Sequence, residues 1–315
     1  MALSQLSQQL LATIAYCDQF HFPLTKVEVQ RRLIIESDKI KAKAEARSAT
    51  LPQKIIPSLI ELMNQGVIGF ENGFYFLTGS EEAVALRRER AVYSSLKWAE
   101  AREVVRMLSW LPWIKGVAVT GSLAMDNAIQ EDDIDFFIIT QENRLWLTRP
   151  VVILMAWLKG KRRSWRHEEK NSWCFNLWME ENELHSPGLN QSLYTAYEVC
   201  QAKFLLNRER VEERFIWSNQ WVAQYLPFYF IDRCEAPSVT SHQLRPKYVF
   251  GQTIDFYFSW LLLLLNEVAF YSQWWYMLPH RTRERVTRSL AFFHPRDTQK
   301  LVDNKWQAAI KKVTK

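Results

Sequence analysis

Leu6, Leu10, Ile14 and neighbouring apolar residues such as Leu3 and Leu11 recur at intervals of three and four, which predicts an amphipathic first helix. His21-Phe22-Pro23 breaks it. Thr25 and Glu28, three residues apart, form a capping box that opens a second helix running to Ile34. A polar, basic connector spans Glu36 to Thr50, and a third helix carrying Ile56, Leu59, Ile60 and Met63 ends at Gly66. Apolar runs at Val67 to Phe70 and Phe74 to Leu77 then flank Glu71-Asn72-Gly73, and Asn-Gly between such runs is a strong hairpin signal. Glu81 to Leu108 predicts one long helix. After it come a strand ending at Thr120, a Gly121-Ser122 turn, a strand from Asp133 through Ile139, a helix over Trp146 to Leu158, and a strand over Trp173 to Met179. Beyond Pro187 the pattern predicts helices over Leu193 to Leu206, Val211 to Tyr225, Ile254 to Met277 and Thr298 to Lys312.

The run from Ile254 to Leu278, with five consecutive leucines at Leu261 to Leu265, is long enough to span a bilayer. Asp255, Asn266, Glu267 and Gln273 interrupt it, and acids are costly in lipid, so the expectation is a buried helix or helix pair. Composition fits a globular chain of two or three domains: 315 residues, 48% hydrophobic and 23% charged. A net charge of +6 suits anionic ligands but does not by itself point to nucleic acid. The fourteen tryptophans are read as large helical cores rather than base-stacking platforms. Cys17, Cys174, Cys200 and Cys234 show no CxxC pair or zinc spacing, so reduced thiols and a cytoplasmic setting are expected. The first twenty residues lack a basic region and cleavage site, and read as a helix rather than a secretory signal.

Candidate chemistry concentrates between Gly116 and Thr140. Asp133 and Asp135 flank Ile134 on a strand, so both carboxylates project to one face. Two adjacent acids are comfortable with a cation, and hard oxygen ligands in small number suit Mg²⁺. Gly121 lets a phosphate approach the backbone, and Ser122 offers a hydroxyl to it. The histidines are scattered, and no HExxH, GxSxG or Walker-type loop occurs.

A hydrophobic strand, Gly121-Ser122, a ten-residue spacer beginning Leu123-Ala124, and Asp133-Ile134-Asp135 followed by Phe136, Phe137, Ile138 and Ile139 resemble the DNA polymerase β-like nucleotidyltransferase superfamily, its minimal members in particular. The resemblance covers Leu111 to Glu183. It implies that Asp133 and Asp135 hold Mg²⁺ or Mn²⁺, that Gly121 and Ser122 hold the phosphates of a nucleoside triphosphate, ATP first among them, and that a nucleoside monophosphate passes to a hydroxyl acceptor. Family members place a third carboxylate on the next strand, where this chain has Asn176; Glu180, further along, and Glu198 are the substitutes to consider, with Arg149 and Lys170 as cations for the triphosphate. Three helices and a hairpin before Gly79 resemble a winged helix-turn-helix in shape. The expected fold class is therefore α+β, a small mixed-sheet nucleotidyltransferase core between an N-terminal winged helix and a C-terminal helical domain. Its expected parts are residues 1–80, a connecting helix over 81–110, the core over 111–185 and the helical domain over 186–315.

Two other readings stand beside the transferase. The chain could be a catalytically weak or inactive nucleotide-binding winged-helix regulator, or an interaction protein that meets a membrane through Leu261 to Leu265. Nucleic acid is weakly supported as a partner, because the third helix offers Lys54, Ser58, Glu61, Asn64 and Gln65 and the hairpin carries Glu71. Basic residues sit instead at Arg31, Arg32, Lys39, Lys41, Lys43 and Arg47. A membrane partner is not the expectation.

Overall fold

The computed structural model describes residues 3–35, 51–162, 170–185, 191–235, 250–280, 284–293 and 298–313. The connector at 36–50, with its four basic residues, lies outside the described residues, as do His167, His242 and His294. Helix α1 (Gln5–Asp18) opens where Ser4 Oγ accepts the N–H of Ser7. Strand β1 (Leu24–Thr25) leads into α2 (Lys26–Arg31) through the expected capping box: Thr25 Oγ1 accepts the Glu28 N–H, and Glu28 Oε2 accepts the Thr25 N–H. Helix α2 ends at Arg31, short of the expected Ile34. Helix α3 (Leu51–Asn64) precedes the hairpin of β2 (Ile68–Glu71) and β3 (Phe74–Leu77). Asn72 and Gly73 take φ of 52° and 88°, the left-handed pair that a two-residue hairpin turn requires. The three strands form a sheet in the order β1-β3-β2.

Helix α4 (Glu82–Leu108) crosses to a six-stranded mixed sheet. In chain order follow β4 (Ile114–Val119), the single turn α5 (Gly121–Ala124), β5 (Ile134–Thr140), α6 (Leu145–Leu158), β6 (Trp173–Glu180), α7 (Leu193–Gln201), β7 (Lys203–Asn207), α8 (Val211–Ser218), α9 (Pro227–Glu235), α10 (Phe250–Met277), β8 (Arg285–Val286), β9 (Leu290–Phe292) and α11 (Thr298–Val313). The sheet order is β7-β4-β5-β6-β9-β8; β5 runs antiparallel to β4 and parallel to β6. The chain is thus a mixed α+β structure.

Several expectations fail here. The span 186–315, expected as a helical domain, supplies β7, β8 and β9 to the sheet. The helix drawn over Val211 to Tyr225 ends at Ser218, where Asn219 leaves helical geometry at φ −112°, ψ 36°. The helix drawn over Leu193 to Leu206 stops at Gln201, because Ala202 turns to φ −53°, ψ 117° and Lys203–Asn207 pairs with β4 as an edge strand. Its burial alternates from residue to residue, the period of a strand. Along β6, Asp135 pairs with Cys174 and Phe137 with Leu177, so Phe175 and Asn176 together oppose Phe136. This β-bulge breaks the simple alternation that put Asn176, Trp178 and Glu180 on one face.

Two buried clusters hold the sheet. One joins Leu10, Ile14 and Leu59 of the N-terminal helices, Phe137, Ile139 and Met179 on one sheet face, and Tyr197, Phe215 and Trp306 beyond it. Tyr16 stacks on Tyr197 at 4.4 Å and 8°, and Trp306 Nε1 donates to the Ala12 carbonyl. The other cluster joins α4, α6 and part of α10 to Ile134, Phe136, Ile138 and Trp178 on the opposite face. The N-terminal, sheet and C-terminal segments therefore share a core.

Helix α10 was expected to be buried. Only one side is: Asn266, Phe270 and Met277 face inward, and Asn266 Oδ1 accepts the N–H groups of Trp146 and Leu147 at 3.0 and 3.2 Å. Leu261, Leu263, Leu264 and Leu265 are exposed. The helix is apolar on both sides, so hydrophobicity alone could not tell which side packs. Among the described residues, no helix is long and apolar enough to cross a membrane.

Candidate functional site

The end of β4 and the start of β5 meet at Asp135. The Thr120 N–H donates to the Asp135 carbonyl at 3.0 Å, which sets the turn after β4 directly beside the acid. Gly121 then takes φ +65°, and a Cβ there would stand 2.7 Å from Asp135 Oδ2. Only glycine combines that backbone angle with so close an approach. On its other side, Asp135 Oδ1 accepts Asn176 Nδ2 at 3.0 Å, an orientation the β6 bulge provides. Asn176 is buried, and its Oδ1 has no hydrogen-bond donor.

Asp133 precedes β5 by one residue. Its Oδ1 accepts the Ser172 N–H at 2.9 Å, which ties it to the segment entering β6. Lys97 of α4, almost fully buried, donates to the Asp132 carbonyl at 2.6 Å and to Asn171 Oδ1 at 2.7 Å, so it braces both loops around Asp133. Burial lowers the Lys97 pKa, and the acids Asp132 and Glu100 offset part of that. Ser122 Oγ donates to Asp132 Oδ2 at 2.8 Å, and the same oxygen accepts the Ile129 N–H. The hydroxyl proton of Ser122 is thus committed to closing the loop between the two strands.

The three candidates for a further carboxylate or its substitute separate clearly. Asn176 touches Asp135. Glu180 does not belong to the site: its Oε1 accepts the N–H groups of Arg144 and Leu145 and caps α6, against the opposite cluster, while burial raises its pKa. Glu198 of α7 lies within electrostatic reach of Asp135; burial first, and the Asp135 charge second, push its carboxyl up to about 7. Tyr194, one turn earlier, is raised by burial and by the charges of Glu198 and Asp135. Arg149 is remote from this cluster: it donates to Gln273 Oε1 and lies 4.6 Å over the Phe293 ring, and burial followed by Arg162 lowers its pKa to about 10. Lys170 pairs with Glu131 at 2.5 Å.

Sequence reading missed Lys97 and Asp132. Lys97 sat among several cations on a long helix, and only packing singles it out. Asp132 was legible as the acid next to the pair, but its partner Ser122 lies ten residues back and needed the loop to close.

Among the described residues, no three Asp, Glu, His or Cys side chains stand where they could hold a metal together. The donor types near Asp135 nevertheless suit a hard cation: carboxylates at Asp133 and Asp135 in one segment, the buried Asn176 amide oxygen lacking a donor, and a glycine backbone close against Asp135 Oδ2. Mg²⁺ is characteristically held by one or two protein carboxylates, with water and substrate oxygens completing its shell. The outward side of α3 exposes Gln53, Lys54, Ile56, Ile60 and Asn64, and the hairpin exposes Phe70 and Glu71, so among the described residues this surface mixes apolar and polar groups and carries a single lysine. No protein-family model, curated protein or solved structure matches this chain.

Proposed function

We propose that the chain is a metal-dependent nucleotidyltransferase that moves a nucleoside monophosphate from a nucleoside triphosphate to a hydroxyl acceptor. The observation that carries this reading is the contact between Gly121 and Asp135: a left-handed glycine whose missing Cβ would stand 2.7 Å from a carboxylate oxygen. It supports the Gly-Ser and Asp-x-Asp resemblance because the two halves of the motif, fourteen residues apart in sequence, meet at a single point. In this reading Asp133 and Asp135 hold Mg²⁺, which would neutralise charge on the transferring phosphate and the leaving pyrophosphate. Asn176 fixes the rotamer of Asp135, Lys97 fixes the loop of Asp133, and Ser122 closes the turn against Asp132. Glu198, with a carboxyl pushed up to about 7, supplies the proton acceptor that an amide at position 176 cannot.

Asn176 in place of an acid favours a second reading, nucleotide binding without turnover. Both are tested by the same measurement: thermal unfolding with each nucleoside triphosphate and Mg²⁺ or Mn²⁺, followed by pyrophosphate release, for the native chain and Asp133→Asn/Asp135→Asn. Ligand at a hundred times its dissociation constant stabilises by about 2.7 kcal/mol. A metal-dependent shift lost in the double variant, with pyrophosphate released, is the expected result. A shift without release selects the binding reading, and no shift with any nucleotide refutes both.

A further inference from the structure

Helix α10 presents a second feature that the proposed chemistry does not use. Trp260, Leu264, Val268, Tyr271 and Trp275 follow one another at intervals of four, four, three and four residues, so they form one stripe along the helix, roughly 22 Å long. Trp260 is 64% exposed, Val268 62% and Trp275 75%. Leu261, Leu265 and Tyr276 widen the stripe and are exposed as well. Since a full aromatic side chain offers about 150–250 Å², the exposed apolar area along the helix is on the order of 800 Å². That exceeds the largest apolar patch of a typical monomer, roughly 300–600 Å², and equals what one partner buries in a standard interface, roughly 800 Å².

Charge decides what covers it. From Phe250 to Met277 the chain has no lysine or arginine, and its acids are Asp255 and Glu267. Glu267 is paired with Arg288 at 3.0 Å, and Arg288 also donates to the Tyr271 hydroxyl at 2.9 Å, so this cation bordering the stripe is neutralised at its rim. An interfacial lipid-binding helix carries cations along a strongly polar face, and the opposite face of α10 is instead packed core. A charge-depleted patch of Trp, Tyr and Leu is the composition of a homodimer centre.

The stripe is also complementary to itself. With a two-fold axis at Val268, an antiparallel second copy sets Trp260 against Tyr276, Leu261 against Trp275, Leu265 against Tyr271 and Val268 against itself; every one of these residues is exposed. We propose that α10 is the interface of a homodimer, the two copies packing antiparallel about Val268. An isologous contact of this kind closes on itself and leaves no open patch for further growth.

Sedimentation equilibrium of the full chain tests this, with Val268→Asp and Val268→Cys. The native protein is expected at twice the 37.3 kDa chain mass. Val268→Asp brings two carboxylates together on the axis and should weaken dimerisation by about a hundredfold or more, with the far-ultraviolet circular dichroism unchanged. Val268→Cys, treated with a mild two-electron thiol oxidant such as oxidised glutathione, should form a covalent dimer that the equally treated native chain, with its own Cys234, does not; this keeps the test open if the Asp variant does not fold. A native single-chain mass overturns the proposal; if that monomer floats with phosphatidylserine vesicles, the stripe meets lipid instead. A dimer that tolerates Val268→Asp and yields no Val268→Cys cross-link overturns it too.

Discussion

Glu198→Gln should make the protein more stable above neutral pH while removing a group from the site. Glu198 ionises at about 4.5 in an exposed setting and at about 7 in the fold, because burial and then the Asp135 charge oppose its ionisation. The folded state therefore holds this proton more tightly than the unfolded chain does. With respect to this group, stability is greatest below pH 4.5, falls as pH rises toward 7, and is constant above. The interval of 2.5, from 4.5 to 7, corresponds to roughly 3 kcal/mol at 1.36 kcal/mol per pH unit. Glutamine has nearly the same shape and never ionises. The variant should thus gain up to about 3 kcal/mol at pH 8, and almost nothing at pH 4, where native Glu198 is already protonated in both states. Urea unfolding of both proteins at the two pH values reads this directly, as a shift in midpoint with unchanged slope. An equal gain at both pH values, or none at pH 8, would refute the reasoning, since either would mean that neither burial nor the Asp135 charge opposes ionisation of Glu198 in the fold. Under the transferase reading the same variant loses pyrophosphate release while gaining stability, the usual relation between a strained site and its activity.

Gly121→Ala forces an L residue into a left-handed angle and drives its Cβ toward Asp135 Oδ2; it should cost about 1–2 kcal/mol from the backbone alone and abolish the metal-dependent nucleotide shift, both visible in thermal unfolding. Asn266→Leu removes the acceptor shared by the Trp146 and Leu147 N–H groups; with each buried donor worth about 1–3 kcal/mol when unmet, urea unfolding should show a loss of about 2–4 kcal/mol.

Much of the N-terminal region was legible because its signals are local. The Thr25–Glu28 box and the Asn72-Gly73 turn act within four residues, and both form as the pattern implies. Around the candidate site, the juxtaposition of Gly121 with Asp135 could be expected from spacing, but its supports could not. The β6 bulge, the Ser122–Asp132 link and the Lys97 brace depend on contacts between segments ten to seventy-four residues apart. Glu180 illustrates the difference. Counting in twos along an ideal strand placed it with Asn176, whereas one extra residue in the bulge sends it to cap a helix against the other face. Strand β7 was hidden for a similar reason: Lys203–Asn207 continues a helical pattern, and only the free edge of β4 makes it a strand.

The stack of Tyr16 on Tyr197 and the bond from Trp306 to Ala12 have a practical corollary. Residues near the two ends of the chain close over one another, so neither the N-terminal helices nor the sheet can be excised as a fragment without stripping the inner surface of the other. A truncation at Gly79 would leave Tyr197 and Trp306 facing water on one piece and Tyr16 on the other. The protein is best handled, and its variants best compared, at full length, and damage at either terminus will be felt at the sheet that carries Asp135.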